Sequence, residues 1–400
     1  MLCKRLSYAA IILGISAPSL SSAGDLTGFV ALENRTFFEA PNSQRQNMSN
    51  GPSLVIEPEY YHVTENRNNT ITFRPFARID QYDSKRNHWD IRQLDWVHAQ
   101  NEWEFRAGVS KVFWGVTESN HLVDIINQTD TVESTDGEEK LGQPMLQFGM
   151  FKDWGTLRLF YLPYFRERTF AGVEGRLRGE KPIEADRTTY DSEAQRWHPD
   201  AAIRYTKILG DWDIGLAHFS GTSREPVFLE STSTTGENIL TPHYDLIDQT
   251  SADIQYTKEG WLWKGEAITR TGQGRRFAAL TAGVEYTLYQ IANSNMDLGL
   301  LTEYQFDDRD GQAPGTLADN DVFAGMRLTF NDPQDTAILG GASIDNNTQG
   351  MLFFLEAERR IGNNWKVEVD ARLSANIKHN APEAGFRKDS HLQIRLARYF

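Results

Sequence analysis

Residues Trp365 to Ile377 alternate without a slip: Trp365, Val367, Val369, Ala371, Leu373, Ala375 and Ile377 share one face, and Lys366, Glu368, Asp370, Arg372, Ser374 and Asn376 the other. Side chains on a β-strand point in turn to opposite faces, so this segment has one oily side and one ionised side. A single strand of that kind suits a soluble sheet as well as a membrane wall. The constraint comes from its recurrence along almost the whole chain. About eighteen strands are predicted, near 26–38, 53–63, 70–82, 89–99, 103–113, 145–152, 155–164, 200–208, 212–220, 244–258, 261–270, 277–288, 296–306, 321–330, 337–345, 351–361, 365–377 and 391–400, with sixteen as the alternative count. Alternation slips in 89–99, and 244–258 opens on the irregular His243-Tyr244-Asp245.

The connections sort by parity. Long gaps follow odd-numbered strands, at 39–52, 114–144, 165–199, 221–243, 307–320 and 378–390, whereas even-numbered strands end in turns such as Asn101-Glu102, Asp153-Trp154, Gly210-Asp211, Glu259-Gly260 and Gly362-Asn363-Asn364. Tight turns on one rim and long loops on the other describe an all-β, transmembrane, antiparallel up-and-down β-barrel with an even strand number and periplasmic termini. A β-sandwich has no reason to sort its loops this way. Five of the ten tryptophans, Trp103, Trp154, Trp212, Trp261 and Trp365, stand at strand starts beside the short turns. Indole prefers the boundary between acyl chains and head groups, so a periplasmic aromatic belt is expected there.

A mean hydropathy of -0.52 would suit a soluble protein, but a barrel interleaves lipid-facing and lumen-facing residues and its average cancels. Lys4 and Arg5 precede the apolar stretch Tyr8 to Ile15, and Ser21-Ser22-Ala23 offers small residues for cleavage, so residues 1–23 read as a signal peptide and 24–400 as one barrel domain. Cys3 is the sole cysteine and falls in that leader, which leaves no disulfide framework or thiolate metal site. The net charge of -14 disfavours a nucleic-acid partner. Membrane lipid and lipopolysaccharide, with divalent metal neutralising the acidic loops, are the expected surroundings. No cofactor is called for. Nine scattered histidines form no assignable catalytic set, and neither a Gly-x-Ser-x-Gly elbow nor a His-Glu-x-x-His helix occurs, so no enzyme is expected. Gly272-Gln273-Gly274 is too short for a phosphate loop, and Asp307-Asp308-Arg309-Asp310-Gly311 lacks the spacing of a calcium loop.

The chain closes on His391-Leu392-Gln393-Ile394-Arg395-Leu396-Ala397-Arg398-Tyr399-Phe400, in which Leu392, Ile394 and Leu396 alternate up to a terminal Phe400. This resembles the tag by which Gram-negative bacteria recognise outer-membrane barrels, although Arg398 stands where an apolar or aromatic residue is usual. It implies handling by the barrel-assembly machinery. Gly108-Val-Ser-Lys-Val-Phe-Trp-Gly-Val-Thr-Glu-Ser119, followed by Val123-Asp-Ile-Ile-Asn-Gln-Thr-Asp130, resembles a segment of porin-like proteobacterial outer-membrane proteins, including alginate-export-like barrels. The resemblance implies passive or facilitated passage of small hydrophilic solutes and transfers no particular substrate or oligomeric state.

Loop 114–144 is the third on its rim, the one that general porins fold inward. Turned inward, its Glu118, Asp124, Asp130, Glu133 and Asp136 would face Arg74, Arg78 and Arg106 on the wall and set a transverse field across a constriction. An acidic solvated external loop is the alternative. Two other roles compete with a pore: export of an acidic polysaccharide along an arginine-rich wall, and a plugged barrel whose loops bind or adhere, with 165–199 long enough to plug.

Overall fold

The computed structural model describes residues 24–46, 50–378 and 382–400; the predicted leader, 1–23, lies outside them. Its strands in chain order are β1 Asp25–Phe37, β2 Asn50–Val63, β3 Asn69–Asp80, β4 His88–Ala99, β5 Trp103–Ser110, β6 Gln143–Lys152 and β7 Gly155–Leu162. They continue as β8 Thr189–Tyr190, β9 Asp200–Leu209, β10 Trp212–Thr222, β11 Val227–Thr232, β12 Asn238–Tyr244, β13 Leu246–Lys258 and β14 Trp261–Thr271. The last seven are β15 Phe277–Leu288, β16 Asp297–Asp307, β17 Asn320–Thr329, β18 Ala337–Asp345, β19 Met351–Ile361, β20 Trp365–Ala375 and β21 His391–Tyr399.

Eighteen of these strands form one antiparallel sheet, each paired with its sequence neighbour once β8, β11 and β12 are set aside. The ring closes where β1 meets β21, from Phe29 opposite Tyr399 to Phe37 opposite His391. Closure removes every free edge, as a lipid environment demands. All eighteen expected strands are present, with ends within a few residues of the expected ones. The start of β1 and the end of β21 lie at the short-turn rim, where the Phe400 N–H donates to the Gly28 carbonyl at 3.0 Å. β8, β11 and β12 make a separate three-stranded sheet on the long-loop side, two strands of it inside the segment expected to be loop 221–243.

The slip in 89–99 has a structural cause. Pairing of β3 with β4 runs Arg74 opposite Gln93 and then Pro75 opposite Ile91, so β4 carries one extra residue, Arg92. Proline cannot donate to the ladder, and a bulge is the usual accommodation. It lets Asp90 and Arg92 on one side of the kink, and Asp95 on the other, all point inward and buried, while Trp89, Leu94 and Trp96 point outward and exposed.

The outer face is apolar around the ring, with Leu32, Ile56, Phe73, Leu159, Ile203, Leu216, Leu280, Leu300, Phe353 and Leu373 all exposed. Trp103, Trp154, Trp212, Trp261 and Trp365 are likewise exposed at the short-turn end. Tyrosines missed in the sequence extend this girdle: Tyr205 stacks on Trp154, and Tyr256 and Tyr286 lie 4.5 Å from Trp212 and Trp261.

Candidate functional site

Alternation ends at Ser110, and the chain leaves the wall to run through the bore until Gln143. Irregular backbone inside a protein must find partners for its N–H groups, and wall carboxylates supply them. Glu266 on β14 accepts from the N–H groups of Val116, Thr117 and Val123 at 2.7, 3.0 and 3.1 Å, and from Thr117 Oγ1 at 2.8 Å. Glu303 on β16 accepts from the N–H groups of Glu118 and Ser119, both at 2.8 Å. The loop is therefore an internal one, folded inward from β5 to the wall around β14–β17.

An apolar layer completes this docking. Trp114, Val123, Ile125 and Ile126 pack against Met145, Phe160, Phe219, Ile247, Ile268 and Phe277, which point inward from β6, β7, β10, β13, β14 and β15. One side of the bore is therefore a packed apolar core and not a polar wall. Contiguous apolar runs such as Phe160-Tyr-Leu162 and Phe277-Ala-Ala-Leu280 carried the signal, because a wall covered on both faces needs no alternation.

Each conspicuous residue of the Val123–Asp130 motif has a task. Asn127 ties the loop's two limbs, donating to the carbonyls of Ser110 and Leu141 and accepting from Val112 N–H. Asp124 is buried 3.1 Å from Lys140, and that burial raises its pKa against the pull of the lysine. Asp130 lies 2.7 Å from the bulged Arg92 and accepts from Thr169 Oγ1 at 2.6 Å. Burial works against its ionisation, but the His88 imidazole 3.5 Å away and the Arg92 charge hold the carboxyl below the usual carboxylate range.

The expected constriction set is rearranged by these contacts. Arg78 does not face the loop across a gap: it forks onto Glu133 at 2.6–2.9 Å and pairs with Glu33 at 2.8 Å, wholly buried. Arg74 pairs with Glu59 and Glu57 on neighbouring β2, and Arg106 with Asp95 at 3.2 Å and Glu104 at 3.7 Å. Glu118 reaches Arg327 at 2.7 Å, and Asp136 reaches Arg372 at 3.0 Å. Arg78, Asp124, Asp130 and Glu133 are thus clamps that fix the loop, and Arg74 and Arg106 pair along their own wall. Residues the sequence did not single out, Arg92, Glu266 and Glu303, hold the loop as firmly; they looked like any other lumen charge.

A cavity of about 510 Å³ remains between loop residues 133–139 and the wall from β17 through β21 to β1–β3. Ten carboxylates and five arginines line it. Lys111 and Lys366 stand behind Glu139 and Glu358 and offset part of the excess. Four of the acids, Glu138, Glu139, Glu356 and Glu358, have side chains 46–54% accessible, against 38%, 28% and 25% for Arg327, Arg372 and Arg395.

Loop 163–199 lies over this arrangement. Gly172 N–H donates to Asp83 at 3.0 Å, Arg176 pairs with Asp389 at 2.7 Å, and Thr131 of the internal loop bonds the Thr169 carbonyl. The segment leaves β7 and reaches the loops that follow β3 and precede β21, on the far side of the mouth.

This geometry is that of an outer-membrane β-barrel. No family model matches the chain, and no curated protein matches it in sequence. Among solved structures, Wzi of Escherichia coli, described as an outer membrane protein involved in group 1 capsule assembly and a carbohydrate-binding β-barrel, aligns with a TM-score of 0.52. The identity is 7%, over 95% of this chain and 84% of that one. OmpT, an outer membrane protein of Vibrio cholerae, aligns with a TM-score of 0.48 at 10% identity, over 94% of this chain and 98% of its own. A mutant of Rh. blastica porin aligns at 0.44, also with 10% identity, over 94% and 99%. At such identities the likeness concerns the course of the backbone alone.

Proposed function

We propose that the protein is a channel of the Gram-negative outer membrane, termini in the periplasm, passing small hydrophilic solutes and favouring cations over anions. The carrying observation is the charge-lined space left between the docked internal loop and the β17–β3 wall, where carboxylates outnumber arginines ten to five. An acidic lining repels a polyanion, which argues against export of an acidic polysaccharide. The exposed aromatic girdle and the Leu392, Ile394, Leu396 and Phe400 terminus fit insertion into lipid by the barrel-assembly machinery, with lipopolysaccharide around the long loops.

Liposome swelling with neutral sugars, on protein verified as folded, tests the reading: entry is expected, and no entry refutes it. A second reading has its own support in loop 163–199, which spans the mouth and would make a capped barrel with an external binding surface. Removing residues 170–182 separates the two. Unchanged conductance favours the channel, and conductance that appears only after deletion favours the cap.

A further inference from the structure

Away from the bore, Asp191, His243 and Asp245 converge where β8 and its following residue meet β12. His243 Nε2 lies 3.2 Å from Asp191 Oδ1 and 3.3 Å from Asp245 Oδ1, and the three ligand atoms fall within 4.8 Å of one another. Donors spaced like this can surround one ion at the usual 2.0–2.2 Å nitrogen and oxygen bond lengths. The outer atoms of all three side chains are already held. His243 Nδ1 sits 2.8 Å from Thr189 Oγ1, a hydroxyl able to accept from Nδ1–H, and Nε2 meets Asp191 Oδ1 in a 3.2 Å hydrogen bond that an ion between them would replace. Leu246 N–H donates to Asp191 Oδ2 at 3.2 Å, and Gln273 Nε2 donates to Asp245 Oδ2 at 3.0 Å.

Asp80, Asp90, Asp130, Asp200 and Asp389 each hold an arginine. Asp191 and Asp245 hold none: among the described residues their ion pairs run only to the shared imidazole. Two carboxylates and a neutral imidazole leave two negative charges, which a divalent ion would neutralise.

We infer that Asp191, His243 and Asp245 bind a divalent transition-type cation such as Zn²⁺, with water in the remaining positions, and that the ion staples loop 163–199 to the β12–β13 corner. One nitrogen and two oxygens select a borderline ion over a hard, all-oxygen one. The staple falls at a short seam, where β8 pairs with β12 through Thr189–His243 and Tyr190–Tyr244 beside the bridge of Ile183 with Leu240. The inference is independent of whether the barrel conducts.

The test uses the full-length chain folded in detergent, stripped with chelator and titrated with ZnCl₂ by calorimetry, beside a His243→Ala/Asp191→Asn double variant and Thr189→Val. Wild type is expected to bind one Zn²⁺ per chain, the double variant to lose that event, and Thr189→Val to weaken it by about 10- to 100-fold. Limited proteolysis within 163–199 should slow on adding Zn²⁺ in wild type and not in the double variant. All three proteins must retain the same far-ultraviolet circular dichroism; if the double variant does not, Thr189→Val alone decides. Absence of a stoichiometric event in wild type, equal binding by a folded variant, or proteolysis indifferent to Zn²⁺ would overturn the inference.

Discussion

Replacing Glu266 by alanine should release the internal loop. The side chain is fully buried and accepts three backbone N–H groups and one hydroxyl, from Val116, Thr117 and Val123. Each buried N–H left without a partner costs about 1–3 kcal/mol, so three cost at least about 3 kcal/mol if the loop stays in place. That is a shift of about 100-fold toward the undocked form. A loop docked 99 times in 100 would then be docked about half the time. Glu266→Gln keeps one acceptor oxygen and should give a smaller shift, because part of the hydrogen-bond set survives. Single-channel recording should show larger, flickering conductance in the alanine variant, and amide exchange at 116–123 should accelerate by a similar factor. Identical conductance and identical protection in Glu266→Ala and wild type would refute the docking argument.

Ile126→Ala, which deletes a fully buried side chain from the loop's apolar layer, should cost about 2–5 kcal/mol of docking and raise exchange around 123–127, with no change of ion selectivity in the reversal potential. Glu356→Lys with Glu358→Lys should move the reversal potential toward anions; an unchanged value would mean the conducting path avoids the β19 wall. The Asp130 clamp sets a pH window. Its folded pKa is depressed, so its contribution is complete above the ordinary carboxylate pKa and fades only as pH falls through the lower folded value. Asp124, raised by burial, has the opposite sign and favours the folded state as it takes up its proton. Conductance should therefore stay flat from pH 8 to about 5, and loop opening in mild acid would contradict the assignment. Removing Phe400 should lower the yield of assembled barrel in the outer membrane while leaving refolding in detergent intact, as read by heat-modifiable gel mobility.

The wall was readable because its physics is local: period two and turn parity placed all eighteen strands, and even the irregularity in 89–99 marked the bulge at Arg92. The interior was not, because it rests on partners remote in sequence. Glu266 and Glu303 are alternation-perfect lumen residues, and only the folded chain reveals that they serve the backbone of 116–123 and not water. Arg78 and Glu133, expected to oppose each other across a gap, touch instead, since a buried guanidinium is stable only with its carboxylate against it. The small sheet of β8, β11 and β12 escaped notice because β8 is two residues long and pairs in parallel with a strand more than fifty residues away.

Glu266 and Glu303 come some 150 and 185 residues after the loop they grip. Synthesis and insertion therefore present the gripped segment long before its anchors exist, and contacts of such separation form late. A nascent cylinder missing its C-terminal strands would hold 111–142 only by the clamps of its N-terminal strands, Arg78 to Glu133 and Arg92 to Asp130, with no acceptors for the N–H groups of 116–119. The final width of the bore is set at the end of biogenesis, so an arrested or misassembled barrel would have a more open interior than the mature one.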